Sequence, residues 1–329
     1  MYYKRYYYLT FVSFHAKIIH KKFLKFHNFF FQNAIRNFGF KKVYILLILW
    51  LVFVYEYKVW SFFFLTPLKS CRQYDYENFL STLLLKDNLR SCALVLRAFN
   101  VEVSRVQEQV SEANIGLMRY QFWTDTLEKI YTKNSKNFPA HPVCRNFDVS
   151  KRNLSKLVNT RKNNISKKYF NNLDEIEEYA EGTVSPIYYL LLELAGLKNV
   201  HCDHAASHLG KAQGLANMLR SVEQSAQQRF VVLPLDLLMK HNLSQEDALR
   251  CADSQNLRGA VFDMASRANQ HLTKRELLKR VSLYILSVAV DGYLKRLQKN
   301  DFDIFHKKVK ERDNLLSVSL YWNKLRSKY

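Results

Sequence analysis

Residues 201–220 read HCDHAASHLGKAQGLANMLR. At about 100° per residue, Ala205, Leu209, Ala212, Ala216 and Leu219 fall on one apolar stripe, the mark of a helix packed into a core. A second arc collects Gly210, Gly214, Asn217, Ser221 and Gln224, all small or polar. Two glycines four apart cost a helix roughly 1 kcal/mol each relative to alanine. Close approach of another helix or of a ligand would offset that cost. The stretch predicts a central helix with one packing face and one face turned toward a neighbour or a cavity.

The pattern on either side is helical as well. Residues 74–85, 91–111 and 115–131 carry the 3.6-residue period, and in the second of these Leu96, Phe99, Val103, Val106 and Val110 form the core stripe. The opposite side of that segment shows Arg97, Asn100, Ser104 and Glu108. Residues 133–144, with Pro139 and Pro142, read as a loop. Residues 146–168 are rich in Lys and Asn and poorly periodic, which predicts a weak helix or a mobile connection. Residues 173–181 and 184–197 are helical again, the latter apolar enough to be central. Further helices are predicted at 235–241, 244–254, 258–272 and 274–300, followed by a basic tail from Phe302. Ser244 and Asp247 have the spacing of a helix-start capping pair. With only 8 Gly and 5 Pro in 329 residues and no hairpin turn signals, the fold class is all-α.

Composition bounds the partners. The formal net charge is +21, and nine Lys/Arg with no acid fall in residues 1–55. Residues 1–70 form a basic, aromatic-rich segment ahead of a domain at 71–329. An acid-poor, basic start fits a mitochondrial transit peptide. Within it, 43–55 (VYILLILWLVFVY) is an apolar run, and 59–68 is a second. A spanning helix needs roughly 20 apolar residues, so 43–68 is read as a cleaved or disordered leader, a flawed membrane span, or a misplaced start. The five cysteines (71, 92, 144, 202, 251) have no paired spacing, which points to reduced thiols rather than a disulfide framework.

Glu-Gly-Thr-Val (181–184), His-Leu-Gly-Lys-Ala-Gln (208–213), Asn-Met-Leu-Arg (217–220), Arg229 and Leu-Pro-Leu-Asp (233–236) occur in an order that resembles the second half of the squalene/phytoene synthase family. The resemblance covers roughly residues 74–324 and implies an isoprenoid-synthase-like helical bundle. Family enzymes join two prenyl diphosphates head to head. Residues 201–214, 244–247 and 301–306 (DFDIFH) look closer to a non-synthase branch that assembles mitochondrial respiratory complex I.

Head-to-head prenyl transfer requires the leaving diphosphate to be neutralised, which in the family falls to magnesium ions held by aspartates on two facing helices. The matching positions here are Asn100, Val101 and Ser104 on the first helix and Ser221 and Ser225 on the second, all neutral. Glu102 and Glu223 are the acids left nearby, and Glu102 points about 40–80° off the expected arc. The resemblance therefore implies a pseudoenzyme with no cofactor. Its remnant pocket would comprise Arg97, Glu102, Gly210, Gly214, Asn217, Arg220, Glu223 and Arg229. The arginines would bind an anionic group, or would pair with internal acids such as Glu102 and Glu223.

Other chemistry is weaker. His204 and His208 share a helix face, as metal ligands can, but a third ligand is missing from the pattern and helix-start packing is the ordinary reading. Basic stretches at 151–168, 274–280 and 307–312 read as solvated faces. Peripheral attachment to an anionic inner membrane, on its matrix side, is the functional alternative. Without aromatic interleaving they do not read as a nucleic-acid platform. No Gly-rich phosphate loop and no Ser-His-Asp constellation occurs. The function implied is assembly of complex I, with its subunits or other assembly factors as partners. A divergent prenyltransferase and a lipid-binding protein using a retained cavity are the alternatives.

Overall fold

The structure is a computed structural model that describes residues 69–110, 112–132, 149–274 and 283–326. The expectations for the targeting segment, the apolar 43–68 stretch and the proline-bearing loop fall outside these residues.

Helix α1 (Tyr76–Leu83) is followed by α2 (Asp87–Ser104), which tightens into a 3-10 turn at Gln107–Gln109. Then come α3 (Ala113–Tyr131), α4 (Lys151–Asn164), α5 (Leu173–Thr183), α6 (Ser185–Leu194) and α7 (Val200–Gln227). The second half adds α8 (Leu235–Lys240), α9 (Gln245–Arg250) and α10 (Gln255–Thr273). A 3-10 segment at Leu283–Ser287 leads into α11 (Val288–Lys299), α12 (Lys307–Lys310) and α13 (Leu316–Arg326). Among the described residues there is no strand, only a parallel bridge between Tyr169 and Val231. No described helix is long and apolar enough to cross a membrane.

The centre is α7, which packs against α5, α6 and α10 and also meets α9 and α11. All five residues of its predicted stripe are buried, together with Leu215 and Val222. A fully buried leucine contributes roughly 1.5–3 kcal/mol, so one turn of this stripe matters to the whole bundle. Asn199 starts the helix by accepting from the His201 N–H at 2.8 Å. Arg229 ends it by taking the left-handed conformation (φ 53), while the Phe230 N–H returns to the Ser225 carbonyl at 2.9 Å. The predicted capping pair is formed: Ser244 and Asp247 exchange side-chain and backbone bonds at 3.1 and 3.0 Å.

The two glycines of α7 serve helix packing. A Cβ on Gly210 would lie 2.7 Å from the Ser185 Cα, and one on Gly214 would lie 2.2 Å from the Ala180 Cβ. The second arc of α7 thus divides. Its glycines seat α5 and α6 at close range, and only its C-terminal part opens into a cleft.

Residues 146–168 depart from expectation. They contain α4, a regular helix whose Leu154, Leu157, Val158 and Arg161 are buried at the spacing of one helical face. Ser150 caps it. The lysines and asparagines that obscured the period lie on its outer side, where Lys151 pairs with Glu128 at 2.6 Å and Lys156 with Glu181 at 3.6 Å.

Candidate functional site: the cleft between α2 and α7

Helix α2 and its 3-10 extension supply one wall of the cleft, with Ser104, Gln107 and Glu108. The C-terminal half of α7 supplies the facing wall, with Met218, Ser221 and Ser225. The floor and ends come from Asn164, Lys167, Phe170, Tyr179, Gln228 and Phe230. The cleft encloses about 160 Å³. Residues 168–171 and 231–236 run side by side at one end, tied by the Val231 N–H to the Lys168 carbonyl at 2.9 Å and the Leu235 N–H to the Phe170 carbonyl at 3.0 Å. That tie places Phe170 against Phe230, ring centroids 5.7 Å apart.

Three predicted positions, Ser104, Ser221 and Ser225, therefore meet in one cleft, although the first is more than a hundred residues from the other two in the chain. Ser104 and Ser221 turn their hydroxyls back onto their own helices, bonding Val101 O and Met218 O at 2.9 Å each. The acid that reaches the cleft is Glu108, not Glu102 or Glu223. Glu102 is exposed and accepts from Ser70 at 3.3 Å, and Glu223 pairs with Lys310. Glu108 stood on the same arc as Arg97, Asn100 and Ser104, which was the available signal. Lys167 brings the cation, but its ammonium is already held by Glu175 at 2.7 Å.

The remaining pocket candidates sit elsewhere. Gly210 and Gly214 lie in helix contacts, Val101 is buried, and Asn217 and Arg229 face solvent. Arg97 and Arg220 pair with acids of α1 and its cap rather than with Glu102 and Glu223. Arg97 bonds Thr82 at 3.0 Å and reaches Asp75 at 3.4 Å. Arg220 pairs with Glu77 at 2.6 Å and lies over the Tyr293 ring at 4.2 Å.

Behind the cleft is a residue that sequence reading missed. Arg161 of α4 is buried and bonds the Asn100 Oδ1 at 2.9 Å, the Leu157 carbonyl at 2.9 Å and the Thr183 carbonyl at 3.2 Å. Burial draws its pKa down, and the Tyr179 and Tyr120 hydroxyls counter this in part. Asn100 is thus occupied as an acceptor for a guanidinium.

The residues do not fit a magnesium cluster. A cluster of several magnesium ions needs one or two carboxylates for each ion beside its waters and the substrate phosphates. The cleft wall offers serine hydroxyls bonded to their own helices, neutral amides and one carboxylate, Glu108. Among the described residues no group of three His, Cys, Asp or Glu side chains is placed to hold a metal ion. His208, one of the two histidines with metal-ligand spacing, lies instead 2.8 Å from His271. His271 in turn lies 3.0 Å from Glu177.

Glu177 anchors α5 to α10. Burial alone would raise its carboxyl, but bonds from His271 and Arg267 outweigh it and hold the pKa down to about 2. Because this carboxyl is more acidic folded than unfolded, its contribution is complete above pH 4.5 and is lost as the pH falls toward 2. Glu177→Gln should lower stability at pH 7 by about 2 kcal/mol and flatten the decline between pH 4.5 and 2. Urea unfolding across that range reads both. An unchanged pH slope would remove Glu177 from the acid response.

Comparison with known proteins agrees with this architecture. The family model described as squalene/phytoene synthase matches residues 71–314. A solved dehydrosqualene synthase superposes with a TM-score of 0.66 at 15% identity, covering 83% of this chain and 99% of that one. The squalene synthase HpnC of Alicyclobacillus acidocaldarius gives 0.63 at 14%, covering 73% and 95%. The chain belongs to the squalene/phytoene synthase family and has its isoprenoid-synthase-like helical fold. Within that family it is similar to proteins named NADH dehydrogenase (ubiquinone) complex I, assembly factor 6. The Bos taurus and Homo sapiens proteins are each 41% identical over 272 residues, covering 80% of this chain and 82% of theirs. The Drosophila melanogaster homolog is 40% identical over 273 residues, covering 78% and 82%. Phytoene synthase 1 of Zea mays is 22% identical over 275 residues, covering 77% and 66%.

Proposed function

We propose that this chain is a non-catalytic assembly factor for mitochondrial respiratory complex I, acting at the matrix side of the inner membrane. It would work as a scaffold that holds complex I subunits or other assembly factors. The observation that carries the non-catalytic part is the cleft wall. Ser104, Ser221 and Ser225 line the cleft together with a single carboxylate, Glu108, and Asn100 behind it is bonded to Arg161. On our reading the serines and Asn100 replace the metal-binding aspartates of the family's enzymes. Kinship with proteins named as complex I assembly factors supports the assembly part.

The alternatives are a divergent prenyltransferase and a lipid-binding protein using the cleft. Both need room. Ligand pockets run from roughly 300 to 1,000 Å³, and the cleft encloses about 160 Å³. Its size weighs against a lipid or a prenyl diphosphate held in this cleft.

Depletion of the protein in cells followed by re-expression separates a scaffold from an enzyme. The triple variant Glu102→Ala, Glu108→Ala, Glu223→Ala removes the cleft's acid and the two acids near it. It should restore assembled complex I on native gels to the wild-type level. A triple variant that folds and accumulates normally yet fails to restore complex I would contradict the proposal.

A further inference from the structure

Helix α13 has two apolar faces. Leu316 and Leu320 are buried against the bundle, where α13 packs on α1 and α11. Val318, Tyr321, Trp322 and Leu325, with Leu315 just before the first turn, form a second stripe within an arc of about 120°, and every one of them is more than half exposed. An isolated exposed leucine is ordinary, but a contiguous stripe of four along one helix, extended by Leu315 at its start, marks a contact surface.

The surroundings of the stripe indicate its occupant. From Lys307 to Arg326 there are six exposed cations, Lys307, Lys308, Lys310, Arg312, Lys324 and Arg326, against one exposed acid, Glu311. Lys310 also pairs with Glu223, Lys307 with Glu311 at 3.8 Å, and Arg312 lies over the Tyr76 ring at 4.7 Å, which leaves a basic excess rather than six free charges. The Arg326 guanidinium lies over the Trp322 ring at 4.9 Å. Leucine and valine flanked by Trp, Tyr and a basic rim is the composition of a helix lying in the headgroup zone of an anionic bilayer. There the apolar arc enters the acyl boundary, the aromatic rings sit at the interface and the cations meet phosphates. The basic excess beside aromatic rings favours a bilayer over a protein groove, and an acid-rimmed groove is the reading that failure to bind cardiolipin vesicles would support.

The geometry points to α13 as the surface by which this protein attaches to an anionic lipid bilayer, with Trp322 at the level of the headgroups. This deepens the membrane-side location proposed above, but it rests on α13 alone. A failure on vesicles leaves the complex I rescue experiment untouched, and a failure of rescue leaves the vesicle result standing.

The test uses the full chain with vesicles of dioleoylphosphatidylcholine plus cardiolipin, and in parallel with dioleoylphosphatidylcholine alone. Binding to the cardiolipin vesicles should weaken as salt rises. Val318→Glu/Leu325→Glu should lower affinity for them by about tenfold with an unchanged melting temperature, since both side chains are exposed. The protein has four tryptophans, at 50, 60, 123 and 322. With brominated phosphatidylcholine in the vesicles, Trp322→Phe should remove a quenchable part of the emission. Attachment through any other segment leaves that part intact. Equal quenching before and after Trp322→Phe overturns the assignment even if the double glutamate variant fails to fold. Wild-type affinity of a folded double variant overturns it as well.

Discussion

Arg161→Ala is expected to be among the most destabilising single substitutions in the chain. The guanidinium is buried and satisfies Asn100 and the Thr183 carbonyl, which join α4 to α2 and to the end of α5. Truncation leaves both acceptors without a donor, at about 1–3 kcal/mol each, and opens a cavity. Relief of the buried charge recovers part of this. The net loss should be about 3 kcal/mol, read as a lower urea midpoint at constant slope. Asn100→Asp tests the same contact from the other side. The cost of burying Arg161 is already met in the native fold, so a carboxylate at Asn100 should stabilise by about 1 kcal/mol. Such an acid would be neutralised by Arg161 and would add nothing to metal binding. A stable Arg161→Ala protein would show that the guanidinium is dispensable to the bundle.

The second large effect concerns the glycines of α7. In an exposed helix, alanine would gain about 1 kcal/mol over glycine. Here a Cβ on Gly210 would meet the Ser185 backbone at 2.7 Å, and one on Gly214 would meet the Ala180 Cβ at 2.2 Å. Overpacking costs typically 1–3 kcal/mol at each site, so Gly210→Ala/Gly214→Ala should lose about 3 kcal/mol despite the better helix former. The effect has a specific remedy. Ala180→Gly in the Gly214→Ala background moves the methyl from α5 to α7 and should return most of the Gly214 loss. Thermal unfolding of the single, double and swapped variants tests this. Stabilisation by Gly210→Ala would mean that α7 does not meet α6 at the distance observed.

These two cases show what the sequence made legible. The apolar stripe of α7 was plain, because five buried residues at one period leave no other reading. The glycines signalled a close approach, but not whether it was to a helix or to a ligand; only the positions of Ser185 and Ala180 decide that. The cleft was half legible. Ser104, Ser221 and Ser225 were placed together by family resemblance. Glu108 lies on the arc of Arg97, Asn100 and Ser104 and reaches the cleft, whereas Glu102 and Glu223, nearer the matching positions in sequence, point elsewhere. Arg161 was hidden by composition: a lysine- and asparagine-rich segment looks solvated, and a buried arginine with only neutral partners has no charge pattern to betray it. The pairing of Arg97 and Arg220 with Asp75 and Glu77 likewise depends on where α1 packs, which local periodicity does not contain.

The basic stretches divide in the same way. Around α4 the lysines are engaged by Glu128, Glu181 and Glu175, so that charge is spent within the fold. From Lys307 to Arg326 two cations are likewise engaged, Lys310 by Glu223 and Lys307 by Glu311 at 3.8 Å, but this stretch also borders an exposed apolar stripe. The two stretches read alike in the sequence and differ in what surrounds them.

The central claim is that the cleft has too few anionic oxygens to carry the magnesium ions that a departing diphosphate requires. Its most direct test is diphosphate release from farnesyl diphosphate by the purified full chain across a magnesium titration. No release above the protein-free rate is expected at any magnesium concentration. Magnesium-dependent release that disappears in Glu108→Gln would contradict the account.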